Sequence, residues 1–164
     1  MGKLVGWINN YFKVADDTGV ERNVFDKDGN LYGKGNLMPN TFLVTETVQG
    51  TTAATATNYG IFFIAPFACE VVSVREAHTA LGTDAGAVTL DVEKLTGTQA
   101  PDAGVSVLSA TINLKGAVNT VQNPALTATT ANKQLAAGDR LCLKDAGVLT
   151  AVAGVSVSVE LKKI

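Results

Sequence analysis

An all-β fold, a two-layer sandwich behind a short N-terminal arm, is predicted for this chain of 164 residues. Three observations predict it. Ala (22), Val (20) and Thr (19) dominate the composition, and β-branched residues in that proportion favour pleated strands over long helices. From residue 41 onward apolar and polar residues alternate with a period of two, which sets one row of side chains inside and one outside. Clusters of Gly, Pro, Asn and Asp interrupt these runs at intervals of roughly 8 to 12 residues, the rhythm of sandwich strands.

A boundary near Met38-Pro39-Asn40 separates an N-terminal segment, residues 1–40, from a sandwich domain, residues 41–164. In the first segment Leu4, Trp7, Ile8, Tyr11, Phe12 and Ala15 have the spacing of one helical face, which predicts a short amphipathic helix. Gly6 and Asn9-Asn10 are poor helix formers in so short a stretch, so a hairpin turning at Asn9-Asn10 is the rival reading. Residues 23–25 and 31–33 flank Asp26-Lys27-Asp28-Gly29-Asn30, whose Asp-Gly suits the positive φ angles of a tight hairpin turn.

Beyond the boundary, strands are expected near 42–48, 60–65, 69–79, 87–95, 110–114, 118–122, 140–144 and 154–162. In the clearest of them Val88, Leu90 and Val92 alternate with Thr89, Asp91 and Glu93, and Val155, Val157, Val159 and Leu161 alternate with Ser156, Ser158, Glu160 and Lys162. Each is expected to have one buried and one wet face, with Leu141 and Leu143 joining the inward set. No repeat of 20 to 50 residues indicates a solenoid or propeller. Eight short strands fit a jelly-roll-like two-sheet β-sandwich.

Charge and hydropathy narrow the function classes. Lys+Arg 13 against Asp+Glu 15 leaves a net charge of -2, without the basic surplus that a nucleic-acid partner demands. The longest apolar run, Ile61 to Ala65 before Pro66, is far short of the roughly 20 residues of a membrane helix, so no membrane partner is expected. The apolar run after Met1 stops at Asn9-Asn10, too short for a signal-peptide core, and Gly6 stands where an acylation pattern wants Ser or Thr. Cys69 and Cys142 lie in separate strand-like stretches. They are expected as reduced, buried thiols of a protein assembled in the cytosol, with a disulfide as the alternative.

Candidate chemistry is sparse. His78 is the single histidine, and a hydrolase triad would need a serine in a Gly-x-Ser-x-Gly elbow, which neither Ser106 nor Ser156 completes. One His and two distant Cys offer no local pair to seed a zinc site. Asp26, Asp28 and Asn30 resemble the start of a calcium loop, but Leu31 and Leu37 occupy the positions that need Gly and a bidentate acid. Asp91 and Glu93 share a strand face and could pair for glycoside hydrolysis, yet such residues are usually solvated and no aromatic follows Phe67 to stack on a sugar. No cofactor, no metal and no enzymatic activity are expected.

The layout of the chain resembles the small virion proteins of tailed bacteriophages that decorate or cement the capsid or form its fibres. The pieces that carry the likeness are the polar-aromatic N-terminal segment and the Thr/Ala-rich stretch 51–60 leading into the apolar run 61–74. Further pieces are 87–95, 107–114, 135–143 with its Gly138-Asp139-Arg140-Leu141, and the closing strand 155–161. The resemblance implies a homotrimer on the virion's capsid surface, assembled in the host bacterial cytoplasm and bound to the major capsid protein. A Thr, Ser and Ala surface with few charges agrees with extensive contact, since little charge must be desolvated. Trp7, Ile8, Tyr11 and Phe12 are the candidate anchors, because large aromatics carry much interface energy, or else they cap the chain's own sandwich. The competing expectation is a head or tail fibre module that grips a host surface glycan, with a glycan-degrading enzyme third.

Overall fold

The structure is a computed structural model that describes residues 3–8, 11–15, 21–26, 31–33, 36–37, 40–48 and 60–164; before residue 40 the description is of backbone pairing. The chain divides into two compact units, Met1–Asn40 and Thr41–Ile164.

The first unit is an antiparallel meander of β1 (Lys3–Ile8), β2 (Tyr11–Ala15), β3 (Glu21–Asp26), β4 (Leu31–Gly33) and β5 (Asn36–Leu37), in chain order. The segment expected as an arm is therefore a sheet, and of the two readings left open for its first residues the paired strands of a hairpin are present and the helix is not. Ile8 opposes Tyr11 and Trp7 opposes Phe12 across β1 and β2. The aromatic and β-branched residues there favour the pleat, while a helix of under about 12 residues gains too little to compete. The second hairpin is present, with Phe25 opposite Leu31 and Val24 opposite Tyr32. Its turn, 27–30, lies outside the described residues, as do Asn9-Asn10 and the stretch 49–59.

The second unit is a two-sheet β-sandwich. Its elements are β6 (Thr41–Val48), β7 (Ile61–Ile64), β8 (Cys69–Ala77), β9 (Thr89–Leu95), β10 (Val105–Ser106), β11 (Ile112–Asn113), a one-turn α1 (Thr130–Lys133), β12 (Gln134–Leu135), β13 (Arg140–Ala146) and β14 (Val155–Lys163). One sheet has the order β12-β8-β14-β6; the other has β10-β9-β13-β7, with β11 also on β9. The first strand pairs with the last, β7 with β13, β8 with β12, and β9 with β10 and β11, all antiparallel.

Val71, Val74, Val157, Val159 and Leu161 of one sheet meet Leu90, Val92, Leu141 and Leu143 of the other in a single apolar cluster. Every residue expected to face inward is buried, Val88 and Val155 included. Phe42, Phe62 and Phe63 pack against the margin of this cluster, whose centre is aliphatic.

Three expectations fail. No strand covers 118–122, where Gln122 alone bridges to Glu76 and Asn119 turns the chain with φ of 55°. The strand expected at 110–114 shrinks to Ile112–Asn113. The second face of β9 is not wet, because the loop after Leu95 lies over it and Glu93 is only 3% exposed. β10 and β12 escaped prediction since two residues are too few to display alternation.

Cations fasten the loops. Arg140 donates to the carbonyls of Gly97 (2.7 Å) and Gln99 (3.1 Å), Lys94 to those of Ala131 (2.5 Å) and Gln134 (3.1 Å), and Lys115 to those of Asp84 (2.7 Å) and Gly86 (3.1 Å). Loop carbonyls that lack a strand partner are satisfied in this way. Three positive charges of a sparsely charged chain are thus spent inside the fold.

Candidate functional site

Register arranges the four candidate anchors two by two. In an antiparallel sheet directly opposed positions share a face and neighbouring positions alternate. Trp7 opposes Phe12, which opposes Phe25, which opposes Leu31, so four large apolar positions form one row across β1 to β4. Ile8 and Tyr11 belong to the next row, where Tyr11 opposes Asp26. The N-terminal sheet therefore carries large apolar residues at positions of both faces, and the four anchors form two pairs rather than one patch.

In the sandwich, the outer face of one sheet is partly exposed among the described residues. The alternation of β14 turns Val155, Val157 and Val159 inward and leaves Ser156, Ser158 and Glu160 half-buried on the outside, beside Leu43 and Thr45 of β6 and Ser73 and Arg75 of β8. Hydroxyls and one ion pair organise this surface. The Ser158 and Thr45 hydroxyls are 3.2 Å apart, Ser73 donates to Glu160 at 3.0 Å, and Arg75 lies 3.7 Å from the same carboxylate. A shallow recess of about 220 Å³ opens here, lined by Leu43, Arg75, Ala77, Val121, Ser156 and Ser158 along with Glu76. Its lining contains no aromatic ring on which a sugar could stack. Ser156 and Ser158 were legible as an outward row, whereas Leu43, Arg75 and Val121 come from a strand edge, a strand and a loop that no local pattern connects.

The groups with chemical potential are turned inward. His78 and Glu76 are each 1% exposed, with the imidazole Nδ1 2.9 Å from Glu76 Oε1. Gln122 donates to Glu76 Oε2 at 2.8 Å and to the Asn113 carbonyl at 2.8 Å, so this network ties the loop 115–126 to the end of β8. Burial pushes the Glu76 carboxyl above its ordinary range, against the opposing pull of hydrogen bonds from His78 and Gln122. Both side chains, His78 and Glu76, are thus enclosed at the end of β8.

Asp91 and Glu93 are likewise occupied. Ser106 donates to Asp91 at 2.7 Å, and burial raises the Asp91 carboxyl. Glu93 accepts from the backbone N–H groups of Asp102 (3.1 Å) and Gly104 (3.3 Å) and lies 3.3 Å from the Lys144 ammonium, which also meets Asp102 at 2.5 Å. The hydrogen bond to Asp102 is the main reason that Lys144 holds its proton more tightly than usual. These residues anchor the loop over β9 and β13 instead of forming an open acid pair. Among the described residues no group of three or more His, Cys, Asp or Glu could hold a metal ion.

Cys69 and Cys142 are free and buried. Burial, reinforced by the nearby Glu93 carboxylate, pushes the Cys142 thiol from 9.0 up to about 11. Between those values the unfolded chain loses a proton that the folded chain keeps, so stability falls as pH rises from about 9 to 11, by roughly 2 to 3 kcal/mol. Cys69, raised mainly by burial, acts in the same direction. Denaturant midpoints measured from pH 8 to 11 should therefore decline, and Cys142→Ala should flatten the decline. An equal slope in the variant would refute the assignment.

Compared with protein families, with characterised proteins and with solved structures, the chain matches none.

Proposed function

We propose that this protein is a non-enzymatic structural protein of a tailed-phage virion, a capsid decoration or cement protein that binds the major capsid protein lattice and stabilises the head. In this reading it is a homotrimer on the capsid surface, assembled in the host cytoplasm. The N-terminal unit, with Trp7, Ile8, Tyr11 and Phe12, makes the attachment. The observation that carries the proposal is the partly exposed sheet face of Leu43, Thr45, Ser73, Ser156 and Ser158, whose charges among the described residues are the paired Arg75 and Glu160, while His78, Glu76 and Glu93 are buried. Such a molecule offers contact area with little charge to desolvate.

The strand order supports a jelly-roll description, because the nested pairing of β6 with β14, β7 with β13, β8 with β12 and β9 with β10 and β11 is what rolling a ribbon produces. The glycan-binding fibre remains the second reading, favoured by the ten aromatics that all precede residue 68. The aromatic-free recess on the sandwich weighs against it.

Co-sedimentation with capsids that lack the protein tests the proposal. The full chain should pellet with them, and Trp7→Ala combined with Phe12→Ala should weaken binding by about 2 to 4 kcal/mol, seen as a loss of at least tenfold in affinity. Absence of binding by the wild type, together with a positive glycan array, would replace this reading with the fibre.

A further inference from the structure

The geometry points to an amide bond between the side chains of Lys144 and Asp102, formed by the folded chain on itself with Glu93 as the acid–base group. The inference is independent of the virion reading above.

Two strands and a loop bring the three groups together. Lys144 is on β13, and Glu93 of the neighbouring β9 stands opposite Cys142, two positions before Lys144 and therefore on the same face. Asp102 belongs to the loop that returns over this face. The Lys144 Nζ is 2.5 Å from Asp102 Oδ1 and 3.3 Å from Glu93 Oε1. Glu93 Oε2 accepts from the backbone N–H groups of Asp102 and Gly104, so the carboxylate that touches the lysine also holds the loop that carries the aspartate. Each member of the triad is thereby tied to the other two.

The loop is clamped where Asp102 meets Lys144. Arg140 holds the carbonyls of Gly97 and Gln99, and the Gln99 amide donates to the Ala103 carbonyl at 2.7 Å. At Gly104 the chain passes so close to β9 that a Cβ would lie 2.6 Å from the Lys94 carbonyl oxygen. Asp102 itself is held at φ of 74°, in the left-handed region that residues other than glycine seldom adopt. Reacting groups fixed in contact have effective molarities of about 10⁵ to 10⁸ M, which favours closing the bond over keeping amine and acid apart.

The chemistry balances with these three groups alone. One proton passes from the Lys144 ammonium to Asp102 Oδ1 along the hydrogen bond, leaving a neutral amine beside a neutral acid. Nζ then attacks Cγ of Asp102 and gives a second proton to the Glu93 carboxylate. Glu93 returns that proton to the departing hydroxyl, the Cγ–O bond breaks, and water leaves; the third proton stays on the amide nitrogen. No oxidant or reductant is needed. An ion pair requires only two of these groups. The third, a carboxylate 4% exposed against the same nitrogen, is what moving a proton off that nitrogen requires. Asp102 is 53% exposed, which gives the water its exit. The bond closes a covalent loop from residue 102 to residue 144, which restricts the unfolded chain as a disulfide does.

The test is the intact mass of the full chain, kept folded at neutral pH and then denatured. The wild type should be lighter by one water than Lys144→Arg once the substitution is allowed for. Trypsin should no longer cut after Lys144, and peptide 95–115 should be recovered joined to peptide 141–162. Glu93→Gln should stay unlinked when the wild type is fully linked. A wild type at its full sequence mass overturns the proposal. So does a loss of water that persists in Lys144→Arg, because the dehydration then lies elsewhere. A Glu93→Gln chain that links as fast as the wild type overturns the role of Glu93. If either variant fails to fold, the mass and the joined peptides of the wild type still decide.

Discussion

Val157→Asp should unfold the sandwich. Val157 is fully buried in β14, in register between Glu46 of β6 and Glu76 of β8. A carboxylate there loses its hydration in an apolar core and meets acidic neighbours on both sides. A buried, unpaired charge costs about 3 to 5 kcal/mol or more, against a total stability on the order of 5 to 15. Ser158→Asp is the matched control one residue away. Position 158 is on the outer face, between Thr45 and Arg75, so the new carboxylate gains a cation and keeps its water. Thermal melts should show no cooperative transition for the first variant and a nearly unchanged one for the second. A cooperative melt of Val157→Asp near the wild-type midpoint would refute the two-sheet packing.

Gly147→Ala should bring the next largest loss. Gly147 has φ of 85° just beyond β13, and a Cβ there would lie 1.9 Å from the Ala87 carbonyl oxygen. The obstacle is backbone, so no side-chain rotation relieves it, and the left-handed φ adds strain for any L-residue. Displacing Ala87 disturbs Val88, which is buried in the core. A cost of about 3 kcal/mol or more is expected, a fall in melting temperature on the order of 10 °C. Gly138→Ala separates the two contributions. Its φ is 90° but no heavy atom lies within 4 Å of the added Cβ, so it should lose only about 1 to 2 kcal/mol. Equal melting temperatures for the two variants would show that the contact at Ala87 yields.

The long strands of the sandwich were legible because their side chains obey one rule over many residues. Apolar and polar residues alternate from Val88 to Glu93 and from Val155 to Lys162, long enough for the period to show in β9 and β14. The first hairpin was ambiguous for a physical reason. Residues spaced to suit a helical face in so short a run also fill a hairpin, and what decides is the pairing of Trp7 with Phe12 and the rows that β3 and β4 add. The false strand at 118–122 shows the opposite error. Val118 and Val121 look strand-like, yet only Gln122 has a backbone partner in β8.

Polar residues on an outward row were the least legible. Asp91 and Glu93 look solvated until the loop that covers them is known, and that loop is held by Arg140 and Lys144, more than 40 residues away in sequence. The burial of His78 depends in the same way on Gln122, which reaches it through Glu76. Periodicity reports which face a residue is on. It does not report what the rest of the chain lays over that face.

A reconstruction of the virion with this protein labelled tests the capsid assignment most directly. The account predicts density in threefold clusters over the head, touching the major capsid protein through the N-terminal unit. Label confined to the tail or its fibres, or missing from the particle, would contradict it.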